Sequence, residues 1–152
     1  MTDGHRIIEQ WFSSRQWQPF GWQRTVWQHC LDQKKGLLNA PTGSGKTFAL
    51  FMPSLINWIN QNPDSYQQKE NNGLQLLWIT PLRALARDLE LHMQNVVNDL
   101  NIPWQIQRRT GDVSSSVKQK QKRRMPEVLI TTPESLHILL AQKEYPRRFK
   151  SL

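Results

Sequence analysis

Apolar positions recur three and four residues apart over several stretches of the chain, and short unbroken apolar runs lie between them. This alternation of amphipathic helix and buried strand is expected of a layered α/β domain. Ile7, Ile8, Trp11 and Phe12 predict a helix over 5–14. After a turn at Gln18-Pro19, Trp22, Val26, Trp27, Cys30 and Leu31 predict a second helix over 22–33. The run Gly36-Leu37-Leu38-Asn39-Ala40 reads as a first strand. A helix from Lys46 to about residue 60 follows, and Pro53 inside it predicts a kink or an interruption because proline has no N–H for the ladder.

Residues 61–73 are polar and aperiodic, as in a loop. Residues 74–79 read as a buried strand, and Leu82, Leu85, Leu89, Met93, Val96, Val97 and Leu100 stripe a long helix beginning at Pro81. Residues 104–107 alternate like a strand, and the serines at 114–116 cap a polar, basic helix over 114–124. Val128–Thr131 is a further short strand, and Pro133 occupies a first helical position ahead of Leu136, Leu139 and Leu140. Strands alternating with helices predict a mostly parallel sheet with helices on both faces, whose ligands sit at the carboxyl ends of the strands.

Composition narrows the class. At 152 residues and 38% hydrophobic, the chain is about one domain long and can bury a core. No apolar stretch approaches the roughly 20 residues that span a bilayer, so no membrane association is expected. Met1-Thr2-Asp3-Gly4-His5 lacks the basic-then-apolar layout of a signal peptide. A single cysteine, Cys30, allows no intramolecular disulfide and suits a reducing cytoplasm; its spacing makes it a packing residue. The four histidines are scattered without metal-ligand spacing. Net charge is +8, and residues 108–124 hold seven basic side chains against one acid, Asp112. Such an excess points to a polyanionic partner. Trp11, Trp22, Trp27, Trp58, Trp78 and Trp104 sit at apolar-periodic or strand positions and are expected in the core.

The chemistry concentrates in Ala40-Pro41-Thr42-Gly43-Ser44-Gly45-Lys46-Thr47, between the predicted first strand and a helix. This is the context of a phosphate-binding loop, in a variant form with Ala40 where glycine is usual. Gly43 and Gly45 permit backbone angles that turn successive N–H groups of Thr42, Gly43, Ser44 and Gly45 around an anion. Lys46 can reach the β- and γ-phosphates of ATP, and the Thr47 hydroxyl can ligate Mg²⁺. Both are therefore the candidate catalytic residues. Gln23 lies 23 residues before Lys46; its amide can donate and accept toward the N6 and N7 edge of adenine, with Phe20 packing on the base.

Three more loops end strands. In Thr80-Pro81-Leu82-Arg83-Ala84-Leu85 the turn at Pro81 offers a helix start and Arg83 can reach a phosphate oxygen. Thr110-Gly111-Asp112 and Thr131-Thr132-Pro133-Glu134-Ser135 combine hydroxyls with tight turns that can track a sugar–phosphate backbone. Glu134 would repel phosphate, so it holds the turn or pairs with a base.

Together these motifs resemble the first motor domain of superfamily 2 helicases, in particular the Lhr-type DExH proteins and the bacterial ligase-associated DNA helicases. The resemblance rests on Trp17-Gln18-Pro19-Phe20, Trp78-Ile79-Thr80-Pro81-Leu82-Arg83-Ala84-Leu85, Arg109-Thr110-Gly111-Asp112 and Thr131-Thr132-Pro133-Glu134-Ser135-Leu136. It implies an α/β, RecA-like P-loop NTPase fold, with amino-terminal helices and an adenine-recognising glutamine over 1–35 and a helicase ATP-binding domain over 36–152. It further implies ATP-driven translocation on single-stranded or partly duplex DNA, typically 3′ to 5′, in DNA repair. A functional association with an ATP-dependent DNA ligase and a repair nuclease is implied too.

In that family a DExH sequence holds Mg²⁺ and orients the attacking water. None of Asp3, Asp32, Asp64, Asp88, Asp99 and Asp112 is followed by glutamate. The chain is accordingly expected to be an amino-terminal piece without the DExH strand and the second RecA-like domain. Alone it should bind nucleotide weakly and nucleic acid non-specifically without hydrolysis, and an incomplete sheet should leave an edge uncovered. The alternatives are an RNA helicase or other translocase on the same core, and a non-hydrolysing module that binds nucleic acid through the basic residues 118–124. A small-molecule P-loop kinase would have no need of Arg83, Thr110 and Thr132 at successive strand ends.

Overall fold

The computed structural model describes residues 2–152. They form two compact units, Met1–Tyr66 and Gln67–Leu152. The boundary falls inside the polar loop after residue 61, and the division expected at 35/36 lies within the first unit.

The first unit holds three helices, α1 (Asp3–Ser14), α2 (Gly21–Leu31) and α3 (Lys46–Gln61). The Thr2 hydroxyl accepts from His5 N–H to cap α1. Both α1 and α2 pack on α3, around a core of Ile8, Trp11, Phe12, Trp27, Phe51, Met52, Leu55, Ile56 and Ile59. Aromatic edges join it: Phe12 meets Trp11 at 5.2 Å and Trp27 at 5.9 Å between ring centroids. Gly4 allows the close crossing of α1 on α3, since a Cβ there would lie 2.5 Å from the Ile56 carbonyl oxygen. Its N–H donates to Asn60 Oδ1 at 2.9 Å.

Two features of this unit differ from the expected pattern. Pro53 does not interrupt α3, which runs through it. An interior proline costs about 3 kcal/mol. Burying Phe51, Met52, Leu55, Ile56 and Ile59 contributes roughly 8–15 kcal/mol, enough to keep the helix continuous through the proline. The strand expected over 36–40 joins no ladder, and Leu37 is 96% exposed. An apolar run signals readiness to pair, whereas a strand also needs a neighbour for its N–H and C=O groups.

The second unit is built from β1 (Leu76–Ile79), α4 (Arg83–Asp99), β2 (Ile106–Arg109), α5 (Ser115–Arg123), β3 (Val128–Thr131), α6 (Pro133–Leu140) and α7 (Tyr145–Arg148). Its sheet is parallel, in the order β1-β3-β2. β3 is central and wholly buried, as a strand covered on both faces requires. Ile79, Thr131 and Arg109 stand abreast at the carboxyl ends. The loops after all three strands therefore leave the sheet at one level.

Leu129 packs with Leu74, Met125 and Leu139. α4 lies against β2 and β3, burying Ala86, Leu89, Met93, Val96 and Val97. Of the two edge strands, β2 is covered by α4, so the one edge expected to be uncovered is not this one. Glu90 Oε1 accepts from Arg108 N–H at 3.1 Å and Gln94 Oε1 from Ile106 N–H at 3.0 Å. Two side chains one turn apart on α4 thus satisfy the outward donors of that strand. Trp11, Trp27 and Trp104 are buried as expected, while Trp22, Trp58 and Trp78 are half-buried. Among the described residues no helix is long and apolar enough to cross a membrane.

Candidate nucleotide and nucleic-acid sites

In the first unit the glycine loop ends at the start of α3. Gly43 and Gly45 adopt φ of +78° and +87°, the left-handed region that favours glycine. Ser44 closes a tight turn by donating to the Pro41 carbonyl from its N–H (3.3 Å) and its hydroxyl (2.7 Å). The first helical bond is Ala49 N–H to the Gly45 carbonyl at 3.1 Å. The N–H groups of Gly43, Gly45, Lys46, Thr47 and Phe48 donate to no acceptor among the described residues. That concentration of unpaired donors at a helix N-terminus is what a phosphate chain would engage. Lys46 Nζ folds back onto the carbonyls of Ala40 and Pro41, 2.5 Å from each. An anionic oxygen would compete for it, because a bond between two charged partners is stronger than one to a neutral carbonyl.

Gln23 is buried and ties α2 to this loop. Its Oε1 accepts from Phe20 N–H at 2.8 Å and its Nε2 donates to the Gly45 carbonyl at 3.0 Å. A Cβ on Gly45 would lie 2.6 Å from that Nε2. Both amide ends expected to face adenine are thus engaged with backbone. Phe20 is 58% exposed and stacks on Trp22, with centroids 6.3 Å apart and planes 10° apart. Beside the loop, a cleft of about 430 Å³ is lined by Trp22, Thr25, Val26, Leu38, Pro41 and Ser44, among others. Sequence spacing pairs Gln23 with the loop but cannot show that Gln23 supports Gly45 itself.

ATP fits this donor set: unpaired N–H groups, one ammonium and the Thr47 hydroxyl. For Mg²⁺ the fit is narrower. Among the described residues no cluster of three or more acidic, histidine or cysteine side chains could hold a metal. Thr47 would be the one protein ligand supplied here, the phosphates and water giving the rest.

The second unit carries the other motif residues. Arg83, at the start of α4, lays its guanidinium over Gly111. A Cβ on Gly111 would be 2.9 Å from Arg83 Nη2 and 3.2 Å from Cζ. The loops after β1 and β2 are thereby brought into contact, and among the described residues no acid pairs with Arg83. Thr110 is buried, and its hydroxyl donates to Asp112 Oδ1 at 2.5 Å. Arg108 Nη1 donates to Asp112 Oδ2 at 2.7 Å and its Nε to Glu90 Oε2 at 3.0 Å. The Thr110 hydroxyl and then the Arg108 guanidinium hold the Asp112 carboxyl well below the usual carboxylate range. Thr110 and Asp112 thus brace a turn whose exposed surface is the Gly111 backbone, Arg83 and the Arg108-paired Asp112 carboxylate.

The Thr131 hydroxyl donates to the Arg109 carbonyl at 2.7 Å. Thr132, also buried, donates to Ser135 Oγ at 3.2 Å, and its carbonyl accepts from Leu136 N–H at 2.9 Å. Pro133 and Glu134 are exposed on the first turn of α6. Arg109 is buried between the Lys118 carbonyl and Gln121 Oε1, each at 3.2 Å. It anchors α5 and does not reach out to phosphate, and removal from water lowers its pKa. Residue order does not reveal this role, because Arg108 and Arg109 are equivalent there. The Thr80 hydroxyl, just past the end of β1, is buried with no hydrogen-bond partner among the described residues.

The family model for DEAD/DEAH box helicases matches residues 21–152. The chain belongs to that family. It is 32% identical over 149 residues to the ATP-dependent helicase Lhr-Core of Methanocaldococcus jannaschii, covering 91% of this chain and 17% of that protein. The Lhr helicase/uracil glycosylase of Escherichia coli is 29% identical over 144 residues, 88% of this chain and 9% of that protein. The structure of the Mycobacterium smegmatis helicase Lhr bound to ssDNA and AMP-PNP matches with a TM-score of 0.70 and 28% identity, over 97% of this chain and 18% of that one. The DUF1998 helicase MrfA bound to DNA, at 24% identity, shares the fold with a TM-score of 0.81 over 100% of this chain and 21% of that one. The chain thus spans less than a fifth of the length of either Lhr relative, and the RecA-like class expected from the motifs holds.

Proposed function

We propose that this chain forms the ATP-binding and part of the nucleic-acid-binding surface of a motor that moves along DNA. The carrying observation is the glycine loop, where five backbone N–H groups lie at the start of α3 without an acceptor among the described residues and the Lys46 ammonium rests on two neutral carbonyls. A nucleoside triphosphate bound there supplies the phosphoanhydride whose cleavage drives movement. The chain's own residues do the holding: Thr42 to Gly45 wrap the phosphates, Lys46 leaves its two carbonyls for them, and Thr47 turns its hydroxyl to Mg²⁺. Gln23 keeps Gly45 in its left-handed conformation, and Phe20 offers an exposed ring to the base. On the second unit, Pro81, Arg83 and Gly111 meet the sugar–phosphate backbone. Thr110 and Asp112 hold that turn, and Thr132, Pro133, Glu134 and Ser135 shape the neighbouring one.

DNA is favoured over RNA because the Lhr structure that matches at 28% identity is a complex with ssDNA. Lhr-type resemblance extends the proposal to DNA repair alongside an ATP-dependent DNA ligase and a nuclease. By itself the chain binds without turnover, since none of its aspartates is followed by glutamate and hydrolysis needs an acid to orient water.

Titration with a fluorescent ATP analogue tests the core of this. Losing the Lys46 charge should cost about 1.5–3 kcal/mol, so Lys46→Ala weakens binding roughly 10- to 150-fold. Equal affinity for both proteins would refute the nucleotide site. A steady-state ATPase assay with single-stranded DNA checks the rest: turnover that Lys46→Ala abolishes would disprove the claim of inactivity in isolation. Competition between DNA and RNA strands of one sequence decides the polymer.

A further inference from the structure

The motif loops occupy one end of the sheet; the opposite end is also built for an anion. Residues 71–73 lead into β1, and Arg124 and Met125 lead toward β3. Here the second unit opens a cleft of about 450 Å³. Lys122, Arg123, Arg147 and Lys150 line it without a hydrogen bond or ion pair to the rest of the described residues. Arg124 and Arg148 add two further cations to the lining: the first donates to the Glu70 carbonyl at 2.9 Å, the second to Gln142 Oε1 at 2.6 Å. No carboxylate lines this cleft. A second cleft of about 540 Å³ shares Lys122, Arg123 and Arg148 with it. That one includes a single acid, Glu144, already bound by Arg148 at 2.5 Å.

The wall is fixed rather than incidental. Ser151 Oγ donates to the Leu74 carbonyl at 2.9 Å and sits where a side chain on Gly73 would be, 2.4 Å from an ideal Cβ. Gly73 itself has φ of +67°. This contact fastens the stretch that carries Arg147, Arg148 and Lys150 against the entry to β1.

We infer that this amino-end cleft binds the phosphate backbone of a nucleic-acid strand, as a second site separate from the one at the carboxyl ends of the strands. The lining selects the ligand class. No aromatic ring lines either cleft, so bases have no stacking platform and only the backbone is gripped. Met125 is the one large apolar side chain there, too little for an apolar protein or lipid contact. A four-residue strand is about 13 Å long, more than the Debye length of about 8 Å at physiological salt. At physiological salt the two ends therefore bind nearly independently.

The test is the salt dependence of DNA binding by the chain, read by fluorescence anisotropy with a labelled duplex between 50 and 200 mM salt. Every phosphate that the protein no longer neutralises makes the log–log slope shallower by about 0.9. Replacing Lys122, Arg123, Arg147 and Lys150 by glutamine should therefore remove about 3–3.6 from the slope. The drop in affinity relative to the parent would then be some 60- to 150-fold larger at 50 mM than at 200 mM. The thermal midpoint should hold, because all four side chains are exposed. A charge-keeping set, with Lys and Arg exchanged, should retain the slope, and Arg83→Gln should add its own decrease on top. An unchanged slope in the glutamine variant overturns the proposal. So does a polyglutamate peptide that displaces the duplex at equal charge concentration, which would make this an acidic-protein site. A slope that falls with Arg83→Gln alone would leave the motif site standing and this one refuted.

Discussion

Gly45→Ala should damage the nucleotide loop in two separable ways. The first is backbone strain: at φ +87° an alanine costs about 1–2 kcal/mol. The second is a collision, because the new Cβ would stand 2.6 Å from Gln23 Nε2. Moving that amide breaks the bonds from Gln23 to the Gly45 carbonyl and from Phe20 N–H to Gln23. Each contributes about 0.5–1.5 kcal/mol, so the total is about 2–5 kcal/mol. Gly43→Ala is the internal control. Its φ is +78°, but nothing lies within 4 Å of its Cβ, so it should cost strain alone. In a Gln23→Ala background the collision has no target, and Gly45→Ala should then cost no more than Gly43→Ala. Urea unfolding of the four proteins in this cycle, followed by circular dichroism, should show a coupling of about 1–3 kcal/mol. Additivity within about 0.5 kcal/mol would refute the claim that Gln23 and Gly45 hold one another.

Gly111→Ala should force the Arg83 guanidinium off its 2.9 Å seat and weaken single-stranded DNA binding about as much as Arg83→Ala does. The double variant should bind like either single one, and additive effects in an anisotropy titration would contradict this. Gly4→Ala places a Cβ 2.5 Å from the Ile56 carbonyl oxygen and should destabilise the first unit by about 1–3 kcal/mol; an unchanged urea midpoint would show that α1 can shift freely. Asp112 has its carboxyl pKa depressed by the Thr110 hydroxyl and Arg108. Its stabilising effect is therefore complete above the unfolded value of about 3.9 and fades as pH falls through the lower folded value. Carbon-detected NMR should find Asp112 ionised at pH 3, and Thr110→Val should raise its midpoint; an ordinary titration in the parent would refute the brace.

Local signals in the residue order carried most of the elements. The helix stripes predicted α1, α2, α3 and α4 to within about three residues because 3.6-residue periodicity is a property of each segment alone. Strand ends were less legible. The alternation over 104–107 marks the buried side chains Trp104 and Ile106 correctly, yet the ladder runs over Ile106–Arg109. Its start depends on Val128 N–H finding the Gln105 carbonyl, a partner 23 residues away. The segment 36–40 failed for the same reason, having an apolar signature and no ladder. At the sites, glycine positions were readable as backbone requirements. The side-chain partners were not: nothing in the order of residues says that Thr110 turns inward to Asp112, or that Arg108 braces while Arg109 is buried under α5.

These partners matter because the sheet makes three short loops act as one surface. β3 is buried along its whole length, and it pairs with both neighbours over the same four residues. A slip of one residue in β2 would turn Arg109 away from Gln121 and Lys118 and expose it on the wrong face. It would also carry Gly111 about 3.3 Å along the strand, out from under Arg83. The burial that locks the register is therefore the same feature that sets Arg83 on Gly111. Substitutions in Val128, Leu129 or Ile130 should then disturb DNA binding through the spacing of these loops, without touching a residue that meets phosphate.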